Sequence, residues 1–224
     1  MKTDEILRKD VEDEIHWDPK LKEISSQIAV AARDGVISLF GNVKSYPLKL
    51  AVEHAAQRVA GVKVVASGLK VKVNDRGKKN DVQIAEAVRI ALRDDDCVNE
   101  DQIEVKVENE WVALEGTVDW SYQKLAAQKC VENLPFIMGV VNNVVVKPRP
   151  VDTHEMLKRI SAAFHRSASV DSSTIRIEAD DKTVTLHGTV KSLLEKRAAE
   201  EIAWSYPGVM MVINKIDISV PVFG

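Results

Sequence analysis

Apolar residues follow two different spacings along the chain, and residues 81–147 show their order most clearly. Over 81–92 they recur at helical spacing, whereas over 103–118 they alternate with polar residues on both sides of a short turn. A second helical pattern covers 121–134, and an apolar strand follows over 138–147. The pattern predicts a helix, a two-stranded hairpin, a second helix and a last strand, with Asp81 as the expected N-cap of the first helix.

This order of elements occurs three times. The step Leu-Phe-Gly-Asn-Val at 39–43 has counterparts at 114–118 and 186–190, 75 and then 72 positions further along. A fixed period of this size indicates a tandem array. We therefore predict an α+β fold of three tandem α-β-β-α-β units, each a three-stranded mixed sheet with two helices packed on one face. The predicted units span residues 1–75, 80–148 and 152–220.

One glycine recurs at the same step of each copy. Gly41, Gly116 and Gly188 fall on the inward-facing parity of the hairpin's second strand. A glycine inside a strand often marks the close approach of another backbone. We expect a structural role for these three residues, beneath the second helix of each unit.

The element order, the Leu-x-Gly-x-Val step and a closing Val-x-Asn pattern together resemble the BON domain. The closing pattern is present at 212–214 and, as Val140-Val141-Asn142, in the second copy, whereas Ser67 replaces the asparagine in the first. Phe136 stands where the other two copies have glycine. The resemblance implies a non-catalytic binding module of bacterial osmotic or envelope stress proteins, with attachment to phospholipid surfaces as the proposed activity.

Composition and charge fit a globular protein. Apolar residues make up 45% of the 224 positions and charged residues 29%, with a net charge of −3. No apolar run approaches the roughly 18 residues of a transmembrane helix. Residues 1–10 turn acidic where a secretion signal has its apolar core, so we expect a cytoplasmic protein, or a periplasmic one if Met1 is not the native start.

The repeat provides a test for chemistry, because a site built into the unit should recur in all three copies. His187 shares its column with Phe40 and Glu115, which supply no common ligand or base. Cys97 and Cys130 occupy unrelated places, and no catalytic, metal or phosphate-binding motif is present. We expect no enzyme, no metal, no cofactor and no nucleic-acid partner, although a potassium ion held by backbone carbonyls leaves no side-chain signature.

Basic residues concentrate around the last strand of the first copy and the linker that follows it. Several cations near an anionic bilayer contribute about 1 kcal/mol each, so this cluster is a candidate for weak, salt-sensitive lipid contact. A solvated basic edge is the alternative. The candidate residues are Lys63, Lys70, Lys72, Arg76, Lys78 and Lys79.

The outward faces of the three sheets differ in polarity. The first is apolar with a basic rim, the second is intermediate and the third is polar. Such apolar faces pack on each other, on another chain or on an external partner. Candidate contact residues are Val36, Phe40, Trp111 and Trp204. We expect a binding protein of stress or envelope physiology that associates with phospholipid surfaces, the alternative being a protein-binding adaptor or holdase that uses the apolar sheet faces of the first two units.

Overall fold

The computed structural model describes residues 2–73, 79–147, 152–167 and 170–219. It contains three α-β-β-α-β repeats, each with a three-stranded mixed sheet, so the predicted fold is confirmed. The first repeat comprises α1 (Asp4–Trp17), β1 (Ile28–Arg33), β2 (Val36–Val43), α2 (Tyr46–Arg58) and β3 (Val64–Val71). The second comprises α3 (Asp81–Arg93), β4 (Ile103–Glu108), β5 (Trp111–Val118), α4 (Ser121–Glu132), β6 (Gly139–Asn142) and β7 (Val145–Val146). The third comprises α5 (Thr153–Arg166), β8 (Ile175–Asp180), β9 (Thr183–Val190), α6 (Leu193–Trp204) and β10 (Met211–Ile218).

The chain divides into two compact units by contact. One contains Met1–Gly41, Ala51–Leu69 and Arg149–Gly224, and the other contains Asn42–Leu50 and Lys70–Pro148. Within the first compact unit, the Gly61 amide donates to the Lys191 carbonyl oxygen at 3.2 Å, which joins the first repeat to the third. Gln57, one helical turn before Gly61, is only 3% exposed. Its column also holds Glu132 and Trp204.

Each sheet has the hairpin's second strand at its centre. In the second repeat β4 pairs antiparallel with β5, and β6 pairs parallel with it. The third repeat has the same arrangement of β8, β9 and β10. One sheet face and two helices enclose the core, because inward strand residues and the apolar helix stripes bury together. The core of the second repeat consists of Ile84, Val88, Leu92, Ile103, Val112, Leu114, Val118, Ala127, Val131, Ile137 and Val144.

The first helix of a repeat is fixed to the hairpin turn by its first residue. Asn80, rather than the predicted Asp81, is the N-cap of α3, and Gln83 completes a capping box. The Asp81 carboxylate instead accepts from the amides of Asn109 and Glu110 at 2.9 and 3.0 Å. Its counterpart in the first repeat also accepts a hairpin amide, with Asp4 bound to the Asp34 amide at 2.9 Å. The carboxylate is therefore unavailable for capping because it satisfies the turn.

The repeated glycines have positive φ angles of +144°, +131° and +135° at Gly41, Gly116 and Gly188. A Cβ on any of them would collide with the carbonyl oxygen of the residue just before the hairpin's first strand, which is Gln102 in the case of Gly116. We had expected the approaching backbone to be that of the second helix. It belongs instead to the residue that leads into the hairpin's first strand. Both the conformation and the space require glycine.

The asparagine of the closing pattern ties the second helix to the last strand. The Asn214 side-chain amide donates to the Lys196 carbonyl oxygen at 3.1 Å, and its Oδ1 accepts from the Ile216 amide at 3.2 Å. Asn142 makes the equivalent bonds at 2.9 and 3.2 Å. The predicted continuous strand over 138–147 is divided in the second repeat into β6 and β7.

Candidate functional site

The candidate site is the outward face of the first sheet, which we call the open face. Its members are exposed and almost all apolar, because one parity of β1, β2 and β3 carries small or apolar side chains. In the β1–β2 ladder Ala29 lies opposite Phe40 and Arg33 opposite Val36. The open face consists of Ala29, Ala31, Val36, Phe40, Val64, Ala66 and Gly68, with the half-buried Ser38 between Val36 and Phe40 as its polar member.

Phe40 is the largest apolar group of the open face and is 53% exposed. Its ring lies over Gly68, since a Cβ at Gly68 would come 2.9 Å from Phe40 Cδ1. Because Gly68 has no side chain, part of the Phe40 ring packs directly on its backbone. The rest of the ring remains exposed to water. A contiguous apolar surface of this kind is unusual unless it contacts a partner.

Cations border the open face. Arg33 is exposed at the hairpin end of β1. Lys70 is exposed on β3 with the same strand parity as Val64, Ala66 and Gly68, and Lys72 follows just beyond the strand. The Lys72 amide extends the ladder by donating to the Val43 carbonyl oxygen at 2.8 Å. The apolar surface with a basic rim expected from the sequence is therefore present at these positions.

The other predicted lysines do not form one patch with Lys70 and Lys72. Lys63 precedes β3 at its opposite end, seven residues and about 23 Å from Lys70 along the strand. Lys79 Nζ lies 4.3 Å from the centroid of the Phe136 ring, a cation–π contact within the second repeat. Arg76 and Lys78 lie outside the described residues. Of the six candidates, Lys70 and Lys72 lie at one end of the open face. Lys63 lies at the opposite, hairpin end, where its amide donates to the Gly35 carbonyl oxygen at 2.8 Å and Arg33 is also exposed.

The second and third sheets provide internal comparisons. Trp111 is 50% exposed with its ring against Gly139, and Lys106 pairs with Glu115 on the same outward face. In the third sheet Glu178 pairs with Arg176 at 3.1 Å and with His187 at 3.6 Å. The faces therefore grade from apolar through mixed to polar, in the predicted order.

Trp204 has a different setting from the one expected of a partner anchor. Its side chain is half-buried and packs against the core of its own repeat, as does Tyr206. The equivalent positions in the other two repeats are not fully exposed either. Gln57 is buried, and Glu132 is half-buried. Trp17, which was not among the predicted contact residues, is far more exposed, at 80%.

The two cysteines share one neighbour, the Asp95 carboxylate. Burial, followed by the Asp95 carboxylate that accepts the Cys130 thiol at 3.3 Å, raises the pKa of Cys130 to about 12. The Cys97 amide also donates to Asp95, so the two cysteines are not in unrelated places. No group of three potential metal ligands and no helix long and apolar enough to cross a membrane occurs in the ranges that the structure describes.

His16 and His165 make a recurring contact that the sequence pattern did not predict. The two histidines are equivalent, and each ring nitrogen Nδ1 contacts a serine hydroxyl, Ser25 at 3.4 Å and Ser172 at 3.1 Å. Arg93 takes the place of histidine in the second repeat. The contact joins the end of the first helix to the segment before the hairpin, which is a packing role.

Comparison with known proteins gives a family and one curated relative. A family model described as BON domain matches residues 3–73, 80–148 and 153–219. Osmotically-inducible protein Y of Escherichia coli K12 is 28% identical over 144 residues, which are 61% of this chain and 72% of that protein.

Two solved structures give weak matches. CdsD, a structural protein of the type III secretion system of Chlamydia trachomatis, is 14% identical, with 97% of this chain and 94% of that chain covered and a TM-score of 0.28. The periplasmic domain of PrgH from S. typhimurium is 11% identical, with 90% and 98% covered and a TM-score of 0.21. Scores this low do not bear on function.

Proposed function

The chain belongs to the BON domain family, and from that premise we propose that it attaches to anionic phospholipid surfaces through the open face of its first repeat. The BON domain is a non-catalytic binding module. The observation that carries the proposal is the exposed Phe40 ring, seated on Gly68 amid small apolar residues and bordered by lysines.

The two parts of this surface have complementary roles at a bilayer. Aromatic and aliphatic groups such as Phe40, Val36 and Val64 insert at the level of the headgroups, where leaving water is favourable. Lys70, Lys72 and Arg33 remain among the phosphates, and each cation contributes about 1 kcal/mol near an anionic surface. A few such contacts give reversible attachment that weakens as salt screens the charges.

The relative in Escherichia coli suggests the physiological setting. Its name describes a protein induced by osmotic stress. We propose that this chain acts in a comparable stress or envelope response. Reversible attachment is suited to that role, because ionic strength alone changes the bound fraction.

Co-sedimentation of the full chain with vesicles tests the proposal. We expect binding to vesicles that contain phosphatidylglycerol, little binding to pure phosphatidylcholine, and release at high salt. Lys70→Glu with Lys72→Glu should reduce binding at least tenfold, because two attractive charges become repulsive. Lys215→Glu is the matched control on the polar third sheet, where we expect less than a twofold change.

Equal binding of both vesicle types, or equal loss in the third-sheet control, would contradict attachment through the open face. Phe40→Ser separates the apolar part from the charged part. It should weaken binding at both low and high salt, whereas the lysine changes act mainly at low salt.

A protein-binding adaptor or holdase is the second candidate. It is favoured by Trp111, whose exposed ring on the second sheet has Val141 and Val145 as exposed neighbours on the same face. Apolar docking of a protein persists at high salt, so a salt-resistant partner lost in Trp111→Ser would support this function over lipid attachment.

A further inference from the structure

A groove runs along the outer edge of the hairpin's first strand, beside the first helix, and it recurs in two repeats. In the first repeat it has a volume of about 360 Å³, and in the second about 460 Å³. Both grooves use the same columns. Ile15, Ile28 and Val30 form the apolar wall in one, and Leu92, Ile103 and Val105 form it in the other. Recurrence at equivalent columns indicates a property of the repeat.

Unpaired backbone groups line this groove. β1 and β4 are edge strands, and each hairpin turns through two residues with positive φ, Asp34-Gly35 and Asn109-Glu110. In a two-residue hairpin the residues beside the turn share the first pair of hydrogen bonds, and pairing then alternates. Val30 and Ala32 therefore direct their N–H and C=O groups away from β2. Among the described residues these groups make no backbone hydrogen bond.

The spacing of these groups selects an extended polypeptide. Alternate residues of a strand are about 6.6 Å apart, which is the repeat of a second strand and of no compact ligand. Addition of a strand to an exposed edge satisfies the row of donors and acceptors, and pockets for alternate side chains provide specificity. Val30 is half-buried, so it offers a floor to a side chain of the added strand.

The charge of the lining identifies which side chains fit. Glu12 and Asp13 of α1 border the first groove, and Glu12 is paired with Arg8 at 2.6 Å, so Asp13 is the carboxylate there that can take a new cation. In the second groove Glu100, Asp101 and Glu104 are offset by Arg89 and Lys106. A long cationic side chain can lay its methylene stem over Ile28 and Val30 and place its head beside Asp13. On its other face the same added strand would continue the open face next to Ala29 and Ala31, where an apolar side chain fits.

The first repeat is the better site. Natural edge strands are usually protected by charges, proline or bulges. β4 carries Glu104 and Lys106, whereas β1 reads Ile-Ala-Val-Ala-Ala before it reaches Arg33. A second copy of this chain is a poor occupant, because pairing of two β1 edges would bring two acidic α1 rims together.

We propose that β1 binds an extended peptide of alternating basic and apolar residues by strand addition, with the basic side chains toward α1. This function goes beyond lipid attachment and uses the edge of the sheet instead of its face. The binding is backbone-directed, so many sequences with this alternation are accepted.

Fluorescence anisotropy of the full chain with a labelled ten-residue peptide of alternating arginine and valine tests the proposal. We expect saturable binding. Val30→Pro should weaken it at least tenfold, because proline removes an outward N–H that makes no ladder bond and blocks the edge. Val105→Pro at the equivalent position of β4 is the matched control and should change binding less than threefold. Asp13→Lys, on the exposed rim, should weaken binding by repulsion without altering the strand.

Two peptide analogues distinguish strand addition from general attraction to an acidic surface. One is N-methylated at every valine and the other at every arginine, so each has lost the N–H groups along one edge only. We expect one analogue to lose at least tenfold in affinity and the other to bind nearly as the parent does, with slowed hydrogen exchange at the Val30 and Ala32 amides.

Three results would overturn the proposal: no binding of the parent peptide, equal binding of both analogues, or unchanged binding by Val30→Pro with a native circular dichroism spectrum and melting temperature. A dimer of the free chain that Val30→Pro dissociates would assign the edge to a second copy instead. The assay contains no lipid, so its failure leaves vesicle attachment standing.

Discussion

At the scale of single residues, recurrence in the repeats separates structural positions from variable ones. Asn142 and Asn214 make the same hydrogen bonds in their respective repeats. The glycines before the second helix share a backbone conformation that other residues rarely adopt. By contrast, the column of Phe40 contains Glu115 and His187, so its ring serves no common core. The outward positions are therefore the ones at which the three repeats differ most.

The asparagine bond should be measurable as stability. We expect Asn142→Ala to lower the free energy of unfolding by about 2 kcal/mol, because it leaves the half-buried Lys124 carbonyl and Val144 amide without their partner. Asn143→Ala, at the exposed neighbouring position, is the matched control and should cost less than about 0.5 kcal/mol. Urea titration followed by circular dichroism provides both values. Equal losses in the two variants would contradict the role of Asn142.

Cys130 should be protected from alkylation by its high pKa. At pH 8 the folded chain should react with iodoacetamide at the exposed Cys97 alone, and the unfolded chain at both cysteines. The raised pKa also makes stability fall as the pH rises from about 9 towards about 12, since the unfolded chain then releases a proton that the folded chain keeps. Mass spectrometry of peptides counts the modified thiols. Rapid native modification of Cys130 would show that the thiol is not shielded.

At the scale of elements, each repeat couples its first helix to its hairpin through a few polar contacts. Asp81 holds the turn at 109–110, and Asp4 holds the turn at Asp34. The segment before the hairpin approaches the second strand at the glycine, where there is no room for a side chain. Helix, turn and strand are thereby fixed as one element, which in turn positions the groove along β1.

Removal of the helix-to-turn contact should destabilise its repeat. We expect Asp81→Ala to cost about 2–3 kcal/mol, because two backbone amides lose a charged acceptor. Glu86→Ala, on an exposed face of the same helix, should cost less than about 0.5 kcal/mol. Thermal melts give the difference in stability, and hydrogen exchange at the Asn109 and Glu110 amides shows whether the turn opens. A turn that stays protected in Asp81→Ala would refute the coupling.

The element order was predictable because apolar residues show helix or strand periodicity in each repeat and the same order occurs three times. Contacts between residues far apart in the sequence were not predictable. A carboxylate at the start of a helix has the sequence signature of a cap, yet Asp81 reaches a turn 28 residues away. The broken last strand of the second repeat likewise has no distinct signature, since residues 138–147 are as apolar as an unbroken strand.

At the scale of the whole molecule, one fold presents three different outward surfaces. The polarity of those faces was predictable from strand parity, and so was the apolar surface around Phe40. The burial of Gln57 was not, because glutamine is usually exposed and the same column holds Glu132 and Trp204. The basic cluster was only partly predictable, since strand length separates Lys63 from Lys70 and an aromatic ring engages Lys79.

The most direct test of the central claim asks which face meets the lipid. A polarity-sensitive fluorophore is attached to Ser38→Cys, within the open face, or to Thr185→Cys, at the equivalent position of the third sheet, in a Cys97→Ser chain. On addition of phosphatidylglycerol vesicles at low salt, we predict a blue shift at position 38 and none at position 185, with both signals unchanged by phosphatidylcholine. Shifts of equal size at the two positions, or no shift at position 38 while the protein sediments with the vesicles, would contradict attachment through the first sheet.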